Sequence, residues 1–136
     1  MKTTLILGST VIDMIVRVPH LPVTQEDINT RSMTMALGGC SYNAARMLRL
    51  FQLPLFHCSP TGDGVFGQLT EKLLREEGLS PAVRVKGQDN GCCLCLVEDS
   101  GERTFFINPW RGIWLLRRMA GRPRSGAAGL CVCLRN

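Results

Sequence analysis

No apolar run in this chain approaches the ~20 residues that a membrane-spanning helix needs. The first residues, Met1-Lys2 followed by Leu5-Ile6-Leu7, have the composition of a secretory signal peptide. Asp13 and Arg17 interrupt the apolar segment, however, and no clear small-residue cleavage site follows. We therefore interpret this segment as a buried strand, and expect a cytoplasmic protein that does not bind a membrane.

The sequence also lacks the pairs of ligands that metal sites use. It has two histidines and an odd number of cysteines, which stand at 40, 58, 92, 93, 95, 131 and 133. An odd count in a cytoplasmic chain disfavours a disulfide framework. The spacing of Cys92 and Cys95 would suit zinc, but it lies in a strand-like run, where residues three apart face opposite ways. We expect buried free thiols and no metal site.

Acidic residues are absent after Glu102. Residues 1–108 hold ten Lys or Arg and eleven Asp or Glu, a net charge of −1, whereas residues 109–136 hold six Arg and no Lys or acid. The nearly neutral body gives no argument for a nucleic-acid partner. The tail leaves one alternative open, because Arg117-Arg118 and Arg122-x-Arg124 cluster near Trp110 and Trp114. Such a basic arm could bind nucleic acid or an anionic membrane.

Apolar periodicity predicts two helices in an otherwise strand-rich chain. Helices are predicted over residues 44–52, where Pro54 follows, and 65–77, where Asp63 is expected to cap the start and Gly78 the end. Strands are predicted at 5–9, 14–18, 28–35, 55–59, 82–85, 92–98 and 103–107. The alternation of strand and helix implies an α/β fold with a parallel sheet. The strands at 14–18, 28–35, 92–97 and 103–107 interrupt it, so we place them together in a separate small sheet.

The most informative stretch is Leu37-Gly38-Gly39-Cys40-Ser41-Tyr42-Asn43, in which two glycines end an extended run and a helix begins. Glycine allows a ligand to approach the backbone closely. Ser41 is the expected N-cap and Asn43 lies in the first turn. Free N–H groups at such a helix start attract oxygen-rich ligands, so a site for a polar small molecule is one interpretation. A simple turn is the other.

Residues 5–107 resemble the N-terminal half of a ribokinase-like (PfkB) carbohydrate kinase. Four matches in the correct order carry the resemblance: Leu7-Gly8-Ser9 with Asp13, Gly38-Gly39 with Asn43, Gly62-Asp63-x-x-x-Gly67, and the Asp89-Asn90-Gly91 turn followed by Gly101-Glu102-Arg103-Thr104-Phe105. The resemblance implies part of a three-layer αβα core with a small β-sheet lid, formed by the four strands set apart above. It also implies a family in which lid sheets often pair, so a homodimer through the lid strands is a further expectation.

The resemblance implies transfer of the γ-phosphate of ATP, with Mg²⁺, to a hydroxyl of a sugar or nucleoside. By match, Asp13, Gly38, Gly39 and Asn43 would bind the substrate, since a carboxylate accepts hydroxyl hydrogens and an amide both donates and accepts. Asp13 as a turn cap and Asn43 as an ordinary first-turn residue remain the alternatives. Cys40 stands where some members carry a lysine, and Asp63 is expected to form a turn rather than a ligand contact.

The chain departs from the family pattern after residue 107. The family's catalytic base is an aspartate in a Gly-Ala-Gly-Asp turn, but Ser125-Gly126-Ala127-Ala128-Gly129-Leu130 contains no acid, and no Walker-type Gly-x-x-x-x-Gly-Lys occurs. We therefore expect no catalytic or cofactor-binding residue here, and poor binding of ATP and Mg²⁺. Residues 1–108 would be the N-terminal half of a kinase domain.

Residues 109–136 are expected to be an irregular, basic tail unrelated to the family, the product of a frameshift or truncation. A chain of this kind would be a truncated sugar kinase, inactive by itself. A non-catalytic sugar-binding module is the alternative, besides the basic-tailed binder described above. Half of a family core would also leave a sheet edge and apolar surface uncovered, which predicts poor solubility.

Overall fold

The computed structural model describes residues 3–81, 83–109 and 129–134, and these form nine strands and two helices. The elements in chain order are β1 (Thr3–Gly8), β2 (Val11–Val18), β3 (Ser32–Gly38), α1 (Cys40–Leu50), β4 (Leu55–Cys58), β5 (Pro60–Gly62), α2 (Val65–Glu76), β6 (Val83–Val85), β7 (Cys92–Glu98), β8 (Arg103–Asn108) and β9 (Gly129–Leu134). The predicted α/β class is confirmed. Neither described helix is long and apolar enough to cross a membrane.

The four strands set apart by the sequence pattern do form one sheet, which we call the lid sheet, in the order β3-β2-β7-β8. β2 and β7 run parallel at its centre, and β3 and β8 are antiparallel to them at the edges. Three of the four strands have other bounds than predicted: β2 begins at Val11 rather than 14, β3 covers Ser32–Gly38 rather than 28–35, and β8 ends one residue later, at Asn108. β3 therefore extends to the first glycine before α1.

The core contains β1 and β4, which pair in parallel, and a separate parallel pair of β5 and β6. α1 packs against β1 and β4, and α2 packs against β5. The buried cluster between these elements consists of Ile6, Tyr42, Ala45, Leu74 and Leu79. Burial of side chains such as Leu74 contributes roughly 1.5–3 kcal/mol each, so this cluster fixes both helices on the core.

The prediction of an irregular tail is wrong over six residues. Residues Gly129–Leu134 form β9, which pairs antiparallel with β1 on the side away from β4. The reason is the short apolar run of β9, since valine and other apolar residues favour strands, together with the free edge that β1 offers. The rest of the predicted tail, including the arginine and tryptophan cluster at residues 110–124, lies outside the described residues.

Both helices begin without a side-chain cap from their own N-terminal residues. The N-cap of α1 is Gly39 and that of α2 is Gly64. The predicted caps, Ser41 and Asp63, are therefore wrong. Ser41 is already the second helical residue, and the Asp63 carboxylate instead accepts from the Gly87 N–H at 2.9 Å, which lowers the pKa of Asp63.

The predicted end of α2 is confirmed at Gly78. This residue has φ +66°, and its N–H donates to the Arg75 carbonyl, while the Leu79 N–H donates to the Leu74 carbonyl. The pair of bonds is the Schellman pattern, in which a glycine in the left-handed region satisfies the last carbonyls of a helix. The chain is thereby turned so that Leu79 enters the core cluster.

Candidate functional site

The first component of the candidate site is the contact between Asp13 on β2 and Gly38 at the end of β3. The register places Val11 opposite Gly38 and Asp13 opposite Ala36. A Cβ built on Gly38 would lie 2.1 Å from Asp13 Oδ2, so the carboxylate lies directly against the Gly38 backbone. Any side chain at position 38 would displace the carboxylate. Partial burial there raises the pKa of Asp13 above its ordinary value of 3.8.

The second component is the chain reversal at Gly39, which leads from the lid sheet into α1. Gly39 has φ +96°, a backbone conformation that strongly favours glycine, and a Cβ on it would lie 2.8 Å from the Ser9 carbonyl oxygen. The Asn43 N–H donates to the Gly39 carbonyl at 3.0 Å, the first hydrogen bond of α1. Asn43 is exposed in the first turn, so its amide side chain is free to meet a ligand.

Ser41 has a role that the sequence did not indicate. Its side chain is buried, and its hydroxyl donates to the Ser9 carbonyl at 2.6 Å. Because Ser9 lies between β1 and β2, this bond fixes the start of α1 to the segment that leads to Asp13. The N-cap residue of α1 is Gly39, and no side-chain cap of the first-turn N–H groups is present among the described residues. These N–H groups therefore remain available to oxygen atoms of a ligand.

The four predicted site residues thus lie on one continuous junction. The structure brings Asp13 and Gly38 into contact, and Gly39 and Asn43 follow directly in the chain and share a hydrogen bond. The groups gathered there are an acceptor carboxylate, an amide that both donates and accepts, and main-chain N–H groups. This is the donor and acceptor set that several hydroxyl groups of one small molecule require.

The cysteines of this region are only partly as predicted. Cys93 is the partner of Asp13 on the parallel strand β7, so the two side chains share a face of the lid sheet, and burial, followed by the nearby carboxylate, raises the pKa of the thiol. The five cysteines at 40, 58, 92, 93 and 95 are all free thiols. Cys95 is buried as expected, but Cys40 is exposed because it is the first residue of α1, at the open end of the helix.

Asp89 and Asn90 also have contacts that sequence reasoning missed, because they were interpreted as a turn that leads into the lid strands. The Asp89 carboxylate accepts from the N–H groups of Phe66 and Gly67 at 3.2 and 2.7 Å, and so caps α2 from a distant loop. Asn90 is 2% exposed. Its side chain accepts from the Gly62 N–H at 2.7 Å and donates to the Thr10 carbonyl at 2.9 Å. A polar pair directly before a strand was the only available signal.

The resemblance also implies ATP with Mg²⁺, an ion that proteins commonly bind through carboxylates. Within residues 3–81, 83–109 and 129–134, no three His, Cys, Asp or Glu side chains cluster closely enough to hold a metal ion. The carboxylate of Asp13 faces Gly38 and Cys93 rather than a second acid.

Comparison with known proteins identifies what this arrangement is similar to. Residues 1–117 match the sequence profile described as pfkB family carbohydrate kinase. The uncharacterized sugar kinase YegV of Escherichia coli (strain K12) is 33% identical over 121 residues, which cover 85% of this chain and 38% of that protein. The chain therefore spans less than two-fifths of the length of this curated relative.

Solved structures show the same fold. Ribokinase from Giardia lamblia has a TM-score of 0.71 and 25% identity, over 88% of this chain and 41% of that one. Ribokinase from Arabidopsis thaliana, solved with ribose and ATP, has a TM-score of 0.63 and 22% identity, over 74% of this chain and 34% of that one. The architecture of a small sheet joined to an α/β core is thus ribokinase-like.

Proposed function

Because the chain belongs to the pfkB family of carbohydrate kinases, we propose that its junction between lid sheet and core binds the sugar or nucleoside that such a kinase phosphorylates. One observation carries the proposal most directly. The Asp13 carboxylate lies against Gly38, one residue before the chain turns into the uncapped start of α1. Family members are carbohydrate kinases, whose activity requires a site for the hydroxyl groups of a carbohydrate, and the groups gathered at this junction suit such a site.

Each residue of the proposed sugar site has a distinct role. The Asp13 carboxylate accepts hydrogens from two hydroxyl groups, and Asn43 both donates and accepts from the first turn of α1. Gly38 keeps the space above the backbone open for the carboxylate, and Gly39 permits the turn that brings α1 to the sugar. Because Asp13 belongs to the lid sheet and Asn43 to the core, the sugar would be held between the two.

We propose that the chain of 136 residues binds the acceptor without transferring phosphate. Phosphoryl transfer needs a base or positioning group for the attacking hydroxyl and positive charge around the phosphates. This sequence has no acid after Glu102, and it spans 38% of its curated relative. The base and the groups that bind ATP and Mg²⁺ would belong to the part of the family fold that has no counterpart here.

The domain boundary at residue 108 and the frameshift or truncation origin of residues 109–136 stay predictions, as does a cytoplasmic location. The family match extends to residue 117. Resequencing of the gene tests the origin of the tail. A downstream kinase-like reading frame in another phase would support a frameshift, and an uninterrupted gene with no such frame would refute it.

Ligand binding is tested by saturation-transfer difference NMR with D-ribose, D-fructose and adenosine as probes. We expect at least one of them to bind, Asp13→Asn to abolish the transfer signal, and Asp27→Asn, which changes an exposed acid in the β2–β3 connection, to leave it unchanged. A coupled assay for ADP release should stay at background. Binding that survives Asp13→Asn, or no binding of any probe, would contradict the proposed site.

We also propose a homodimer through the lid sheet. Met35, Met14, Leu94 and Phe106 are register partners across the four strands and so lie on one face. At its two edges Met35 is 46% and Phe106 57% exposed. Apolar side chains on a sheet face are stabilised when a second sheet covers them. Sedimentation velocity tests this: Phe106→Lys should shift the chain to monomer, and an unchanged sedimentation coefficient would argue against the dimer.

A further inference from the structure

The joint between lid sheet and core contains a buried polar network that the proposed sugar site does not use. Both central strands of the lid sheet start at this joint: β2 begins after Ser9-Thr10, and β7 begins after Asn90-Gly91. We call these two segments the lid root. The Ile12 N–H donates to the Gly91 carbonyl at 3.1 Å, so the two segments of the lid root are bonded to each other.

Asn90 connects the lid root to the core. Its amide accepts from the N–H of Gly62, the last residue of core strand β5, and donates to the carbonyl of Thr10, the last residue before β2. The distances are 2.7 and 2.9 Å, and only 2% of the residue is exposed. An asparagine amide carries an acceptor and a donor in one planar group at any pH, so asparagine is suited to this position.

Further bonds hold the same segment. The Thr10 N–H donates to Ser59 Oγ at 3.0 Å, and the Ser59 hydroxyl donates to Thr10 Oγ1 at 2.9 Å; both residues are fully buried. Thr10 is therefore held through its N–H, its hydroxyl and its carbonyl. A buried network whose members are all bonded is rigid, because each unpaired group would cost the free energy of its lost hydration.

This network affects the distance between the two residues that we propose bind the sugar, Asp13 and Asn43. Asp13 lies three residues after Thr10 on β2, whereas Asn43 lies on α1, whose start is fixed to Ser9 by the Ser41 hydroxyl. The Ser9-Thr10 segment is thus connected to both Asp13 and Asn43, and Asn90 holds this segment on the core. We propose that Asn90 is a positioning residue, which holds Asp13 in register with Asn43 for the sugar; in this respect the inference rests on the proposed function.

The test measures the surroundings of the Asp13 carboxylate through its pKa and requires no sugar. We expect Asn90→Leu, which has similar volume and makes neither bond, to loosen β2 and hydrate the carboxylate, so that the pKa of Asp13 in a carbon-detected NMR titration falls back toward 3.8. The exchange rate of the Ile12 amide should rise at least about tenfold. Leu79→Ala destabilises the core cluster and is the matched control: it should leave the pKa of Asp13 unchanged.

Equal shifts in Asn90→Leu and Leu79→Ala, or no shift in either, would overturn the inference, because the role of Asn90 would then be stability alone. If Asn90→Leu does not fold, Asn90→Ser takes its place; serine is too short to bond both groups, and an unchanged pKa of Asp13 in that variant overturns the inference as well. Binding of D-ribose, D-fructose and adenosine is measured on the same samples. If the pKa of Asp13 shifts in Asn90→Leu but the native chain binds no probe, the positioning role is supported and the proposed function is refuted. If the native chain binds a probe but the pKa does not shift, the proposed function is supported and the positioning role is refuted.

Discussion

We predict that buried His57 makes the stability of this protein depend on pH in mildly acidic solution. The residue lies on β4 beside Ile6 of β1, is 8% exposed, and neither ring nitrogen has a hydrogen-bond partner among the residues that the structure describes. Burial without a partner disfavours the charged imidazolium, which lowers the pKa of His57 from 6.5 to about 4. In the unfolded chain the ring is hydrated and regains its ordinary pKa.

The sign of the effect follows from proton binding. Between the two pKa values the unfolded chain binds a proton that the folded chain does not, so acid favours unfolding. The contribution of His57 to the free energy of unfolding is fully present above the pKa of the unfolded chain. It falls as the pH drops through that pKa, and it stops falling below the pKa of the folded protein. With about 1.4 kcal/mol for each pH unit, the loss is about 2 kcal/mol at pH ~5 and approaches about 3 kcal/mol near pH ~4.

Urea denaturation at about pH 7.5 and about pH 5 measures this loss in the free energy of unfolding. His57→Leu is the matched control, since leucine fills a similar volume and cannot be protonated. We expect the midpoint of the native chain to fall with pH and that of His57→Leu to change far less. Three carboxyl groups have a lowered pKa in the folded protein: Glu71, Asp63 and Glu26. In the unfolded chain they bind protons only near or below pH 4.5, so they change the free energy of unfolding little between about pH 7.5 and about pH 5. Identical pH slopes in the two proteins would refute the reasoning.

Three further predictions follow from single contacts. Asp89→Ala removes the acceptor for two N–H groups of α2 and should lower the free energy of unfolding, measured by urea denaturation, by about 1–2 kcal/mol. The control Asp27→Ala should change it very little, and equal losses in the two variants would mean that Asp89 does not cap α2. Gly38→Ala places a carbon against the Asp13 carboxylate, so sugar binding by NMR should be lost while the circular dichroism stays native; retained binding would place the sugar elsewhere. Iodoacetamide followed by mass spectrometry should label Cys40 at least about tenfold faster than Cys95, and equal rates would contradict their exposures.

The sequence was sufficient for elements whose pattern is local. β7 and β8, with the loop between them, have almost the predicted bounds, because alternating apolar residues around a polar Asp99-Ser100-Gly101-Glu102 turn predict a hairpin. The grouping of four strands in one sheet was also predicted correctly, since they did not fit the strand–helix alternation of the core. Of the candidate site, the Gly38-Gly39 turn before α1 was predicted, and Gly39 has the positive φ that favours glycine there; the part of both residues in binding stays a prediction.

What the sequence could not show depends on contacts between distant segments. Asp63 stands next to α2 and was expected to cap it, yet Asp89, 22 residues beyond Gly67, reaches the helix instead. Ser41 was expected to cap α1, but the N-cap is Gly39, two residues earlier, and the Ser41 hydroxyl reaches Ser9, 32 residues away. No periodicity reveals such partners, nor the burial of His57 or Asn90. The same limit applied to β9, which exists because β1 offers an edge.

The parallel pairing of β2 with β7 has a consequence for how the protein is made. Ile12 lies beside Cys92, 80 residues later in the chain, so on a ribosome that adds roughly 5–20 residues per second the first of these strands waits several seconds for its neighbour. During that interval β2 and β3 form at most a two-stranded ribbon, which is marginally stable in water and leaves Ile12 and Val16 uncovered. Nascent chains of this protein should therefore be clients of ribosome-associated chaperones until the segment after Gly91 has emerged.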